Sequence, residues 1–242
     1  MSLIKRASRF IRIGPGKKSP LAINYRFKTP SHMLKWHFGW IGEINHISRE
    51  GISKVFELLE QKPVHILETG SSAWGVDSTR HWARYVENWG GRLDSVDIRE
   101  EPRRILGHLG ERVYLHRDDS LKFLEKLGRD NDFKYDFVYL DSFDVDWANP
   151  LPAAIHGLSE FKAILELTHE NSLVLIDDTP SKISDIPYIF QREAALFLEQ
   201  HGVLPGKGAF ILNSKEIRNF EIIHHGYNLL LRKLVQSQSI TS

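Results

Sequence analysis

The sequence predicts a doubly wound α/β fold with a mostly parallel, seven-stranded sheet that ends in a C-terminal antiparallel hairpin. Three observations predict it. From Pro63 onward, short apolar runs alternate with longer amphipathic stretches, the pattern of βαβ units feeding a parallel sheet. Each short run is followed by a polar or acidic turn. The chain then finishes on Phe220 to His224 and Tyr227 to Arg232, two apolar runs separated by His225-Gly226, a two-residue connection of the hairpin kind. At 242 residues, with 41% hydrophobic and 26% charged side chains, the chain has the material for one large core. No run approaches the roughly 18 apolar residues that a membrane span needs. Without cysteine there is no disulfide, no thiolate metal site and no cysteine nucleophile, and a soluble, cytoplasmic protein is expected.

Residues 1–29 form a basic arm: Lys5, Arg6, Arg9, Arg12, Lys17, Lys18, Arg26 and Lys28 all precede the first acid, Glu43. Leu3, Ile4, Ala7, Phe10 and Ile11 recur among those bases at helical spacing, which suits peripheral contact with an anionic membrane; a solvated extension is the simpler reading. No apolar stretch of a secretory signal follows the charges. The net charge of +1 gives no argument for a nucleic-acid partner. Residues 30–62 read as a lid-like pair of helices, with Trp36, Trp40, Ile44 and Ile47 on one apolar face and Ile52, Val55, Phe56, Leu58 and Leu59 on another. Among them, Trp36, His37, Phe38 and Trp40 are expected to be buried against the core more than to wall a substrate.

The main body spans residues 63–234, followed by a polar tail at 235–242 that is expected to be disordered. Its strands are expected at Val64 to Leu67, Arg92 to Val96, Arg112 to Leu115, Phe137 to Leu140 and Leu173 to Ile176. Helices fit at Ser78 to Asn88, Glu101 to Leu109, Ser120 to Lys126, Leu158 to Leu167 and Tyr188 to His201.

Ligands of open α/β sheets bind at the carboxyl ends of the strands, and the first strand usually supplies the central turn. Here that turn is Glu68-Thr69-Gly70-Ser71-Ser72-Ala73-Trp74-Gly75. Gly70 permits a tight turn and Gly75 a return into the helix, while Asp77, Ser78 and Thr79 supply cap chemistry. The Gly-x-Gly-x-x-Gly spacing of a dinucleotide site is missing. A carboxylate at Glu68 repels a phosphate but attracts an ammonium group, which favours an amino-acid-like cofactor. Asp97, ending the second strand, is placed to accept from ribose hydroxyls, and Asp119-Ser120, after the third, to read an adenine; Asp118 competes with Asp119.

Asp141 ends the fourth strand run and Asp177-Asp178 the fifth. Crowded carboxylates repel unless protons or a cation intervene, so a hard divalent ion on oxygen ligands, Mg2+ first, is expected there. A capping turn before Pro180 is the plainer account of the Asp177-Asp178 pair. Gly206-Lys207-Gly208 lacks phosphate-loop spacing and reads as a flexible connection.

From about residue 63 to 233 the chain resembles the class I S-adenosylmethionine-dependent methyltransferases, a Rossmann-like fold, on Glu68, Gly70, Asp97, Asp119-Ser120, Asp141 and the terminal hairpin. The gap from Gly70 to Gly75 is longer than the usual one in that family. The resemblance extends to the metal-dependent O-methyltransferases and implies Asp141, Asp177 and Asp178 as metal ligands. It implies S-adenosylmethionine held by Glu68, Gly70, Ser71, Gly75, Asp97, Asp119 and Ser120. Those enzymes often carry a Lys or His three residues after the first metal acid; this chain has Asp144, with His156 the second choice of base. The expected reaction is methyl transfer to a hydroxyl of a glycan, sugar-containing metabolite or small phenolic compound. A nicotinamide oxidoreductase and a non-catalytic methyltransferase-like module with a membrane-binding arm are the competing readings.

Overall fold

A computed structural model describes residues 26–71, 77–130 and 133–235, apart from the side chain of Trp40. Most of the basic arm, Gly75 and nearly all of the polar tail lie outside the described residues. Among those described, no helix is long and apolar enough to cross a membrane.

Seven strands form one sheet: β1 (Val64–Thr69), β2 (Gly91–Asp97), β3 (Val113–Arg117), β4 (Tyr135–Leu140), β5 (Thr168–Ile176), β6 (Phe220–His225) and β7 (Leu229–Lys233). They lie in the order β3-β2-β1-β4-β5-β7-β6. β1 to β5 pair in parallel, and β7 runs antiparallel to both of its neighbours, β5 and β6. Strand order reverses between β1 and β4, so the ends of those two strands open the crevice in which such sheets bind ligands.

Alternation along the strands feeds two cores. Val64, Ile66, Leu93, Phe137, Tyr139, Leu173 and Leu175 face one side, under α1 (Pro30–Ile41), α2 (Arg49–Leu59) and α3 (Ser78–Trp89). Leu67, Val96, Val138, Leu140, Val174 and Ile176 face the other, against Phe123 and Leu124 of α5 (Ser120–Asp130) and Phe161 of α6 (Leu151–Ala163). Because helices cover both faces, the central strands read as nearly unbroken apolar runs. The short α4 (Glu101–Leu106) lies between β2 and β3; α7 (Gln191–His201) and α8 (Ala209–Leu212) follow β5.

Of the apolar face expected from Trp36, Trp40, Ile44 and Ile47, Trp36 packs against the core, the side chain of Trp40 lies outside the described residues, and Ile44 and Ile47 do not join it. Gly42, in the left-handed region at φ +73, stops α1, so Ile44 and Ile47 fall in the following loop and are exposed. The helix buries Met33, Leu34, His37 and Phe38, and with α2 it joins the core of the sheet's first face. At the start of this layer, Phe27 and Asn88 exchange two hydrogen bonds of 2.9 Å, which pin the incoming chain to the end of α3. Helix α6 begins seven residues before its expected start, with Pro152 in the first turn where a proline costs nothing. The hairpin connection is three residues, Gly226 to Asn228, not two: Tyr227 and Asn228 turn their side chains to the acidic cluster described below and pair with no strand.

Candidate active site at the strand ends

The turn after β1 is tight for a steric reason. Gly70 has φ +85, and a Cβ there would lie 2.3 Å from the Asp141 carbonyl oxygen, so the ends of β1 and β4 meet with no room for a side chain. Beneath this turn the Glu68 carboxylate is fully buried. It accepts from Ser78 Oγ (2.6 Å), Thr79 Oγ1 (2.7 Å) and Ser95 Oγ (2.5 Å), which come from the first turn of α3 and from β2. Burial pushes its pKa up to about 7 even though all three hydroxyls favour the charged form. Ser71 is joined to the same network through Ser95, with 2.7 Å between the two Oγ atoms.

Asp97 projects from the end of β2 and is buried. Its carboxylate accepts from Arg99 N (2.7 Å), Nε (3.0 Å) and Nη2 (2.9 Å), and the half-exposed arginine shields it from solvent. Asp119 caps α5, with Oδ1 accepting from Lys122 N at 3.1 Å, while Asp118 accepts from Asp119 N at 2.8 Å. Ser120 is buried with its Oγ 3.2 Å from His156 Nε2. His156 belongs to a polar knot with Ser142, whose Oγ lies 2.9 Å from Nε2, and Glu160, which accepts from Ser142 at 2.7 Å. Asp144 is exposed, and its charge is felt by Arg99. Among the described residues, no hydrogen bond joins Asp144 or His156 to the three carboxylates of the acidic cluster.

Asp141, Asp177 and Asp178 do converge: each offers an oxygen, and those atoms lie within 4.8 Å of one another. The sequence brings them there by ending two adjacent parallel strands, β4 and β5, on acids. Asp177 is the most enclosed. It accepts from Tyr139 (2.9 Å), Ser48 (3.2 Å) and Asn228, which ties together β4, the start of α2 and the hairpin. Burial and the neighbouring Asp178 push its pKa up to about 6. Asp178 accepts from Tyr227 at 2.7 Å. Burial works against its charge, but the Lys207 ammonium and the Tyr227 hydroxyl outweigh it and hold the pKa below the ordinary range. Asp141 is pushed well up, by burial and by its two acidic neighbours.

Lys207 is the residue that sequence reasoning misplaces. Far from being a flexible connection, Gly206-Lys207-Gly208 is clasped over the Asp177-Asp178-Thr179 turn, with Lys207 N donating to Asp178 O (3.1 Å) and Gly208 N to Thr179 Oγ1 (3.0 Å). The lysine side chain is only 4% exposed, and its Nζ lies 2.5 Å from Asp141 Oδ1 and 3.1 Å from Asp178 Oδ2. The flanking glycines mark close packing of the loop, not looseness. Tyr139, at a buried position of β4 two residues before Asp141, is the clearer signal in the sequence that the cluster has hydroxyl donors.

The three carboxylates suit a hard cation. Each offers an oxygen within 4.8 Å of the others, the kind of all-oxygen donor set that such an ion would take. Asp141 and Asp178 have lone pairs facing an ammonium, while Asp177 has already committed most of its own to protein donors.

No protein-family model and no curated protein matches the chain. Solved structures do. The chain is similar to the MycE methyltransferase of the mycinamycin biosynthetic pathway, solved with Mg and SAH and also with Mg, SAH and mycinamycin VI. Both give a TM-score of 0.61 at 16% identity, covering 88% of this chain and 57% of that one. A second crystal form of MycE with Mg and SAH gives 0.56 at 17% identity, over 88% and 55%. The chain thus spans little more than half the length of the MycE structures. At such identity the likeness is one of architecture, and it agrees with the strand order, the terminal antiparallel pair and the crevice at β1 and β4: the chain has the Rossmann-like fold of the S-adenosylmethionine-dependent methyltransferases.

Proposed function

We propose that the protein is an S-adenosylmethionine-dependent O-methyltransferase that methylates a hydroxyl of a glycan, sugar-containing metabolite or small phenolic compound, with assistance from Mg2+. One observation carries the reading: on a methyltransferase-type sheet, a buried glutamate under a glycine turn and three clustered carboxylates sit at the ends of adjacent strands. Glu68, Gly70, Ser71 and Gly75 are assigned to the amino-acid end of the cofactor, Asp97 to the ribose, and Asp119 and Ser120 to the adenine. The charge of Glu68 favours a cationic ammonium above the turn, and binding that ammonium favours the ionised carboxylate in return. For Asp97 to accept from both ribose hydroxyls, Arg99 must swing aside, which its exposure permits.

Asp141, Asp177 and Asp178 are assigned to the metal ion, which, when bound, lowers the pKa of the acceptor hydroxyl and orients it. Methyl transfer is an in-line displacement: the new C–O bond forms as the C–S bond breaks, and the sulfonium leaves as a neutral thioether. The hydroxyl proton passes to a base. Of Asp144 and His156, His156 is the better supported, because Ser142 and Glu160 hold its ring and Ser142 directly follows Asp141. The complex of MycE with mycinamycin VI favours a small-molecule acceptor.

The test is incubation with methyl-labelled S-adenosylmethionine and a panel of hydroxyl acceptors, with Mg2+ or with EDTA. Label transfer that requires Mg2+ is the expected result. Turnover unchanged in EDTA, together with a fully active Asp178→Ala, would remove the metal from the reading. Calorimetry with S-adenosylhomocysteine and NADH separates the cofactor classes, and binding of NADH alone would favour an oxidoreductase. Peripheral membrane contact is tested by vesicle co-sedimentation with and without residues 1–18; loss of vesicle binding in a chain that binds no cofactor would favour the non-catalytic module.

A further inference from the structure

We propose that Lys207 is the built-in counter-cation of the acidic cluster, and that a divalent ion enters the cluster by displacing its ammonium from Asp141 and Asp178. The inference rests on the assignment of these carboxylates to a divalent ion, and the experiment below separates the two claims.

The position of the ammonium is imposed by the backbone. A Cβ on Gly206 would lie 2.2 Å from the Asp178 carbonyl oxygen, and a Cβ on Gly157 of α6 would lie 2.1 Å from the Lys207 carbonyl oxygen. Gly208 packs as closely on the Thr179 side chain, where a Cβ would be 2.5 Å from Cγ2. The loop is therefore seated from two sides by backbone contact, and with its backbone hydrogen bonds to the Asp178-Thr179 turn it can direct the lysine to one place. That place is between two of the three candidate ligands, with Nζ within 3.1 Å of an oxygen of each.

An ammonium so seated competes with a divalent ion for the oxygens that face it on Asp141 and Asp178. Charge makes the same point. Removing the lysine takes one positive charge from beside the carboxylates, so it both vacates the position and deepens their attraction for a dication. The lysine's ion pairs are with Asp141 and Asp178, while Asp177 is held by Tyr139, Ser48 and Asn228. Lys207 thus keeps the cluster together without metal and sets how tightly metal binds.

Mn2+ is the probe, titrated into the ligand-free full chain and followed by electron paramagnetic resonance of the free ion, with thermal denaturation in EDTA as a second readout. Lys207→Met is expected to bind Mn2+ about tenfold or more tightly than the unaltered protein. In EDTA it is expected to melt at a lower temperature, with Mn2+ restoring the loss. Lys207→Arg, which keeps the charge, gains no Mn2+ affinity. Should Lys207→Met fail to fold, Asp178→Asn with and without Lys207→Met repeats the comparison with one carboxylate fewer, and the double variant is expected to bind more tightly than the single one. Equal or weaker binding once the lysine is removed overturns the inference while leaving the metal assignment standing. Absence of Mn2+ binding in every variant overturns both.

Discussion

The Glu68 carboxyl is ringed by three hydroxyl donors and shut away from water, and its pKa of about 7 against an ordinary 4.5 makes it a sensor of pH in the ligand-free protein. A carboxyl whose folded pKa is raised costs nothing below the unfolded pKa; stability is lost as pH rises from the unfolded pKa through the folded one. Glu68 is thus expected to remove about 3 kcal/mol of stability between pH 4.5 and 8, since each pH unit between the two pKa values is worth roughly 1.4 kcal/mol. Urea unfolding across that range checks it: the stability of Glu68→Gln relative to the unaltered protein rises with pH, and a flat difference refutes the burial account. His81 is the opposite case. It is fully buried, both ring nitrogens lack a hydrogen-bond partner among the described residues, and its ring lies 3.5 Å from that of His37. Burial, with the charges of His37 and Arg84, holds its pKa well below 6.5. Its protonation therefore favours the unfolded chain as pH falls below about 6.5. His81→Leu is expected to gain relative stability between pH 7 and 5, read from thermal melts. At this scale the sequence shows the acids well, because each ends an apolar run. It shows their partners poorly, because Ser48, Lys207 and Tyr227 reach Asp177 and Asp178 from distant positions with no local pattern to mark them.

Helix α6 and the loop it supports make an element-level prediction whose sign is contrary to helix propensity. Replacing glycine by alanine inside an exposed helix ordinarily gains about 1 kcal/mol. At Gly157 the added carbon would meet the Lys207 carbonyl oxygen at 2.1 Å, so Gly157→Ala is expected to cost about 2 kcal/mol and lower the melting temperature by several degrees. An unchanged or higher melting temperature would mean that the loop is not seated on the helix. Strands are the elements most visible in the sequence, since burial on both faces leaves an apolar run with sharp ends, as in Phe137 to Leu140. Helices whose buried face includes polar or small groups are less visible. α1 buries His37 among its apolar side chains, and α6 opens on Leu-Pro-Ala-Ala, so periodicity reads only part of the face of the first and misplaces the start of the second.

For the whole molecule, the sheet's asymmetry sets where it opens. β1 and β4 are buried along nearly their whole length between neighbours, whereas β3, at one edge, has no fully buried residue. Native-state hydrogen exchange is expected to be slowest in β1, β4 and β5 and faster in β3. Added S-adenosylhomocysteine is expected to protect the ends of β1 and β2 most; protection confined elsewhere would refute the cofactor assignment. Alternation and acidic strand ends reveal the sheet and its class, but nothing local in the sequence announces that β7 inserts between β5 and β6. The ties that close the acidic cluster also have an order in time. Ser48 reaches Asp177 across 129 positions, Lys207 reaches Asp141 across 66, and Asn228 reaches back 51. Contacts so distant along the chain form late, after nearer pairings have reduced the entropy of closing the loops between them. During synthesis the last of these donors arrives only when residue 228 has left the ribosome. The emerging chain thus carries acids short of their partners from the addition of Asp141 until that of Asn228, and the cluster closes only once the terminal hairpin is made.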